Sequence, residues 1–340
     1  MSRVSSAQSL RVAYREPTDV FEILDNVSNW WPGYTEDLYR AYWRDSVGFR
    51  AGDSVAFAQY AVIRNRSFRK DGQGNSAPRR DGSGLFTDRA ALDADPVAAA
   101  FYASDALEMA FTRLRDVVNA DDLRVLRGFY ARFQSRVAPM TEQTRRRTMA
   151  SLALTARTAV TAGVDTYVGQ VGRLFGVADT TPFTALYVWW PDTTHTQASP
   201  NGRHLILRVR PTADDTVNSA DVVMHEAIHV LSAMASDSQK QALSNALLDR
   251  CTVPTGVRRL VVVEEGIATA LGNIEFRRFM PQRFAWGRRW YGDDWVDLSA
   301  RLLYPMLTAA LAEGKPLGAS FSRDAGAMCA LQARLRTPPS

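Results

Sequence analysis

From Thr18 to Trp43 apolar and polar residues alternate at helical spacing, and the stretch carries the aromatic cluster Trp30, Trp31, Tyr34, Tyr39, Tyr42 and Trp43. Aromatic stripes at that spacing pack inward, so these rings are predicted to belong to a core. Asn65 to Asp88 has no period and is rich in Gly, Ser, Arg and Asp, which predicts an exposed loop. Helical spacing returns from Asp95 to about Val177, with start signals at Asp95-Pro96 and Asp121-Asp122 and an expected break near Ala138-Pro139. The character changes at Thr181. Phe183 to Trp190 is β-branched and aromatic and reads as a strand, followed by a Pro, Asp, Thr and Ser-rich link. Arg203 to Arg210 alternates with period two and reads as a second, half-exposed strand before the turn residues Pro211 to Asp215. Ser219 and Asp221 then suit the cap and first turn of a helix from about Ala220 to Ala235. The remainder from Gln239 is mostly helical, with breaks at Pro254-Thr-Gly256 and Gly314-Lys-Pro316.

These elements predict a predominantly helical α+β protein without internal repeats. A helical N-terminal region (1–178) precedes a core with a small sheet (179–280), and a helical C-terminal region (281–340) packs on that core. At 340 residues with 46% hydrophobic and 23% charged residues, the chain has ample material for a buried interior, and disordered or low-complexity classes are excluded. The net charge is +5, and only Lys70, Lys240 and Lys315 among the 41 cations are lysines. Short basic runs such as Arg79-Arg80, Arg145-Arg146-Arg147 and Arg288-Arg289 are interleaved with acids and accompany no nucleic-acid motif, so they read as solvated helix faces rather than a nucleic-acid surface. No stretch approaches the apolar length of a membrane span. Cys251 and Cys329 are the only two cysteines. In an oxidising compartment they suit one disulfide, and otherwise two buried thiols. The polar Met1 to Gln8 segment leaves two options, a cytoplasmic protein or a secreted or periplasmic one whose leader has been removed, with the second favoured.

The chemistry concentrates in the helix that begins near Ala220. It contains His225-Glu226-Ala227-Ile228-His229, an H-E-x-x-H pattern that holds two of the four histidines of the chain. Residues i and i+4 share a helix face, so both imidazoles can reach one metal ion, and Glu226 is placed to contact a metal-bound water. A catalytic zinc needs a third protein ligand and keeps a fourth position for water. Some 35 residues on, Val261-Val-Val-Glu264-Glu265-Gly266-Ile267-Ala268-Thr269 places two carboxylates where an apolar helix would continue. A buried unpaired carboxylate costs several kcal/mol, so one of the pair is expected to meet a cation. Spacing leaves both open, because one residue of frame turns a helix by about 100°.

These two motifs together resemble the gluzincin metallopeptidases, in which H-E-x-x-H on one helix is completed by a glutamate on a second. The E-G-x-A form of that second segment is matched by Glu265-Gly266-Ile267-Ala268, so the resemblance implies His225, His229 and Glu265 as zinc ligands and Glu226 as general base. It also implies a zincin-like core, in which the strands ahead of the metal helix are edge-like and hold an extended substrate by backbone pairing. The resemblance spans about Thr181 to Asn273. It departs from the aminopeptidase branch in lacking a G-x-M-E-N segment upstream of His225, and no third histidine follows at metzincin spacing.

The implied activity is zinc-assisted water attack on a carbonyl, most simply a peptide bond of a peptide or protein substrate. A developing oxyanion needs a further donor. Tyr291 and Tyr304 beyond the glutamate helix are candidates, as is His204 on the preceding strand. Asp221, Thr269 and Asn273 are candidates to support an imidazole from behind. The competing expectation is a catalytically idle zinc-binding scaffold or interaction module. Glu226 argues against it, because a structural zinc site has no use for a base beside its ligands.

Overall fold

A computed structural model describes residues 9–32, 35–68, 95–161, 163–178, 182–192, 197–209, 220–251, 259–279 and 289–336. The protein is predominantly helical with one small sheet, an α+β arrangement. The helices are α1 (Glu16–Ser28), α2 (Asp37–Tyr42), α3 (Asp53–Phe68), α4 (Pro96–Tyr102), α5 (Leu107–Leu114), α6 (Ala120–Thr161), α7 (Val164–Leu174), α8 (Ala220–Ala233), α9 (Asp237–Leu248), α10 (Arg259–Ala268), α11 (Asp294–Glu313) and α12 (Ala319–Arg336). A π-helical turn, Thr269–Glu275, continues α10 and passes into a 3-10 turn, Phe276–Phe279.

Among the described residues four strands, β1 (Leu10–Ala13), β2 (Phe183–Trp189), β3 (Gln197–Asn201) and β4 (His204–Val209), lie in the order β1-β2-β4-β3. β1, β2 and β4 run parallel, and β3 pairs antiparallel at the edge. Thus β2 and β4, expected as edge-like strands, are the interior ones. Nor is β4 half exposed. Leu205, Ile206, Leu207 and Arg208 are all buried, because helices cover both faces of the sheet. The expected link after β2 contains β3, which tolerates Pro200 because an edge strand needs no donor on its outer side.

Side-chain alternation along β2 and β4 divides the protein into two cores. Phe183, Ala185, Tyr187, Leu205 and Leu207 face a core shared with α7, α8, α10, α11 and α12. Leu186, Val188 and Ile206 face the other way, into a core built from α1 and its neighbours that holds Trp30, Tyr39 and Trp43. α6 is continuous through Pro139, where a break was expected. Leu126, Phe129, Phe133, Val137 and Met140 form one buried stripe along it, and packing on both sides of the proline offsets its missing N–H and ring clash. α3 likewise extends through Asn65 to Phe68, because Ser67 and Phe68 are buried; the rest of the expected loop, 69–88, lies outside the described residues, as do Ser219, Tyr34 and the Pro254–Gly256 break. Gly314 ends α11 in the left-handed conformation, as its break signal suggests.

The N-terminal core buries ionic groups together with their partners. Arg64, fully buried, donates to Asp25 and Asp95 at 2.6 Å each, and Asp95 also caps α4 through the Ala98 N–H at 2.9 Å. Arg208 reaches from β4 to Glu22 of α1 at 2.7 Å. Removing one partner of such a group strands the others without solvent. Arg64→Ala is therefore expected to lower stability by about 3–5 kcal/mol, read as a fall in the urea midpoint. A change below about 1 kcal/mol contradicts this reading.

Candidate metal centre

Nearly every residue of α8 is buried, so the helix lies between the sheet and the α10 segment rather than on the surface. Two glycines fix how closely the second segment approaches. A Cβ on Gly272 would lie 2.5 Å from both N and Cα of His225, so the π-helical turn touches α8 backbone to backbone. A Cβ on Gly266 would lie 2.6 Å from Ser299 Oγ and 3.3 Å from Ala300 N, so α10 rests as closely on α11. The first contact brings Asn273 beside His225, and the second sets the rotation of α10 that aims Glu264 and Glu265.

The result is a cluster of His225, His229 and Glu265 whose ligand atoms all lie within 4.8 Å of one another. The two Nε2 atoms are 3.0 Å apart, and the Glu265 carboxylate lies 3.2 Å from His225 Nε2 and 3.3 Å from His229 Nε2. Each ring is held from behind. His225 Nδ1 lies 2.8 Å from Asn273 Oδ1, and His229 Nδ1 lies 3.2 Å from Glu264 Oε1. With acceptors at both Nδ1 atoms, the ring protons belong there, and the tautomers follow from these partners. Both Nε2 lone pairs and a carboxylate then converge on one point, which is how a cation site is built. Burial acts to raise the Glu265 carboxyl, but the positive charge and hydrogen bonds of His229 and His225 in their protonated form outweigh it and hold it well below the usual carboxylate range.

Of the two carboxylates left open by spacing, Glu265 faces the cluster, while Glu264 sits on the far side of the His229 ring as an orienting partner. Glu226 is buried next to His225 and is not drawn into the ligand cluster. Tyr291 reaches the site: its hydroxyl donates to Glu265 at 3.2 Å and its ring stacks on His225 with centroids 6.0 Å apart. The other two expected oxyanion donors do not. The Tyr304 hydroxyl donates to Glu275 at 2.5 Å, and its ring packs on Trp290. His204 shares strand parity with Ile206 and Arg208, so it points to the N-terminal side of the sheet, where its ring lies 6.0 Å from Tyr102.

Among the residues expected to support an imidazole, Asn273 does so directly and Asp221 through Asn273, at 3.3 Å. The buried Thr269 hydroxyl has no hydrogen-bond partner among the described residues. Arg277, which pairs with Asp221, carries no sequence signal, whereas Gly272 inside an apolar helical run does signal close backbone approach. Cys251 and Cys329 form a disulfide with Cα atoms 5.1 Å apart, tying the segment ahead of α10 to α12.

No protein-family model matches the chain, no curated protein matches it in sequence, and no solved structure matches its fold. The site is therefore read from its own geometry.

Two predictions follow from these contacts. Gly272→Ala drives a methyl into the His225 backbone, where no rotamer gives relief. It is expected to cost about 1–3 kcal/mol in chemical denaturation and to weaken metal uptake, while wild-type stability in this variant contradicts the close approach. Thiol titration of denatured, unreduced protein from oxidising expression should find no free cysteine, and two free thiols contradict the Cys251–Cys329 bridge.

Proposed function

We propose that the chain is a zinc-dependent hydrolase of gluzincin type, a metallopeptidase with His225, His229 and Glu265 as zinc ligands and Glu226 as general base. The observation that carries this reading is the pair of Nε2 atoms 3.0 Å apart with the Glu265 carboxylate facing both, each ring held from behind at Nδ1. A His₂Glu donor set that leaves a fourth position is typical of catalytic rather than structural zinc. When bound, zinc supplies Lewis acidity, lowering the pKa of a water toward about 7 and polarising a carbonyl.

The remaining steps belong to the protein. Glu226, adjacent to His225 and outside the ligand cluster, accepts the attacking water's proton at its carboxylate and delivers it to the leaving nitrogen. The Tyr291 hydroxyl turns from Glu265 to the developing oxyanion, a role withdrawn from Tyr304 and His204 by their positions. β3, an edge strand packed beside α8, offers its outer backbone groups to an extended peptide, completing a zincin-like arrangement. The disulfide supports a secreted or periplasmic location. No helix among the described residues is long and apolar enough to cross a membrane.

Purified protein is expected to hold about one zinc per chain. His225→Ala, His229→Ala and Glu265→Ala should release it, and Glu264→Ala should weaken it less. Glu226→Gln should retain zinc yet lose roughly 10²- to 10⁴-fold of chelator-sensitive casein or peptide-library cleavage. Zinc that persists in the His225→Ala/His229→Ala double variant would falsify the ligand set. Full activity in Glu226→Gln removes the mechanism, and a zinc-loaded wild type that cleaves nothing turns the reading to the idle scaffold.

A further inference from the structure

We propose that Asp221, Asn273 and Arg277 form a relay that sets the proton position on His225, making Asp221 and Asn273 positioning residues for metal capture. The inference rests on the metal-centre reading above and adds to it a reason for the buried ion pair behind the first histidine. Asp221 lies one turn before His225 on α8 and is almost fully buried. Its Oδ2 accepts from Arg277 Nε at 2.8 Å, from Arg277 Nη2 and from Asn273 Nδ2 at 3.3 Å. Its Oδ1 is buried with no hydrogen-bond partner among the described residues. A group that only filled space there would not carry an unsatisfied oxygen.

The relay works through polarity. An asparagine amide has a donor end and an acceptor end of nearly equal shape, and its neighbours decide which way it faces. A carboxylate accepts only, so Asp221 draws the NH₂ end of Asn273 toward itself. That leaves Oδ1 facing His225 Nδ1 at 2.8 Å. An acceptor there requires the ring proton on Nδ1, and the lone pair on Nε2 then points at His229 and Glu265. The guanidinium of Arg277 anchors Asp221 from the half-exposed side. His229 receives the same instruction directly from the Glu264 carboxylate. At His225 the amide passes on the orientation without placing a further negative charge against the ring.

Asp221→Ala tests this, because it removes the acceptor that fixes the Asn273 amide and leaves the Arg277 guanidinium to draw its Oδ1, so that its NH₂ turns toward the ring and the ring proton moves to Nε2. Zinc affinity, measured by competition with a chromophoric chelator on variants whose circular dichroism shows them folded, is expected to fall roughly 10- to 100-fold. The double variant Asp221→Ala with Asn273→Asp moves the carboxylate to position 273, restoring at His225 Nδ1 an acceptor-only group for Arg277 to pair with. It is expected to recover affinity to within a few-fold of wild type. A purely structural role predicts the opposite order, with the double variant at least as impaired as the single.

A second readout needs no metal. Long-range ¹H–¹⁵N spectra of metal-free protein labelled only at its four histidines report each ring's tautomer, and His225→Ala assigns the signal. Wild type should show His225 protonated at Nδ1, and Asp221→Ala should shift it toward Nε2. Protonation at Nε2 in the wild type, unchanged zinc affinity in Asp221→Ala, or no recovery in the Asp221→Ala/Asn273→Asp variant overturns the relay. If the wild type takes up no zinc, the metal reading falls, and the tautomer spectra alone then decide the relay.

Discussion

Between Gly272 and His225 two helical backbones meet with no room for a methyl group. That contact decides which side chains can become neighbours, because it sets the π-helical turn directly on the metal-motif helix. Asn273 is thereby delivered to the back of the His225 ring. The carboxylates of α10 arrive from the same segment, their rotation set where Gly266 lies on Ser299 and Ala300 of α11. A larger residue at either glycine holds the backbones apart, and hydrogen bonds of about 3 Å do not survive such a displacement. The wider π-helical turn also lets one continuous segment present Glu264 and Glu265 at one point and Asn273 at another.

The two sides of the sheet treat buried charge differently. On the N-terminal side the buried acids of the ionic groups meet guanidiniums, Asp25 and Asp95 sharing Arg64 and Glu22 pairing with Arg208. On the other side Glu264 and Glu265 meet imidazoles whose inner lone pairs also need a positive partner. The acids of the first core thus face protein cations, whereas His225, His229 and Glu265 form a candidate site for a metal cation. β2 and β4 separate them with alternate side chains, and Arg208 is the point where the partition itself carries charge.

What could be read along the chain was what local pattern controls. The β-branched run of β2, the periodicity of β4, the metal helix and the H-E-x-x-H spacing all depend on neighbours a few residues away, and they lie where expected. β1 is only four residues long, and β3 is polar with a proline, so both owe their conformation to the strand beside them rather than to their composition. The same limit applies in the site. Glu264 and Glu265 are equivalent in sequence, and the contact with α11 separates them. Tyr291 and Tyr304 are both aromatic residues beyond the glutamate helix, and only packing sends one hydroxyl to Glu265 and the other to Glu275. His204 was excluded by strand parity once the pairing partners of β4 were known.

The disulfide and the metal centre act on overlapping lengths of chain. Cys251–Cys329 closes a loop of 78 residues that contains Glu265, Asn273 and Tyr291, while His225 and His229 lie outside it. A metal held between His225 and Glu265 closes a second loop, of 40 residues, that shares the stretch from 251 to 265. Each closure takes freedom from the unfolded chain, and where loops share chain the first leaves less for the second to remove. The two fastenings are therefore coupled rather than additive. Once the sulfur bridge has formed, Glu265 searches for the histidines from within a chain already confined, so on the proposed reading oxidation would lower the entropic cost of taking up an ion.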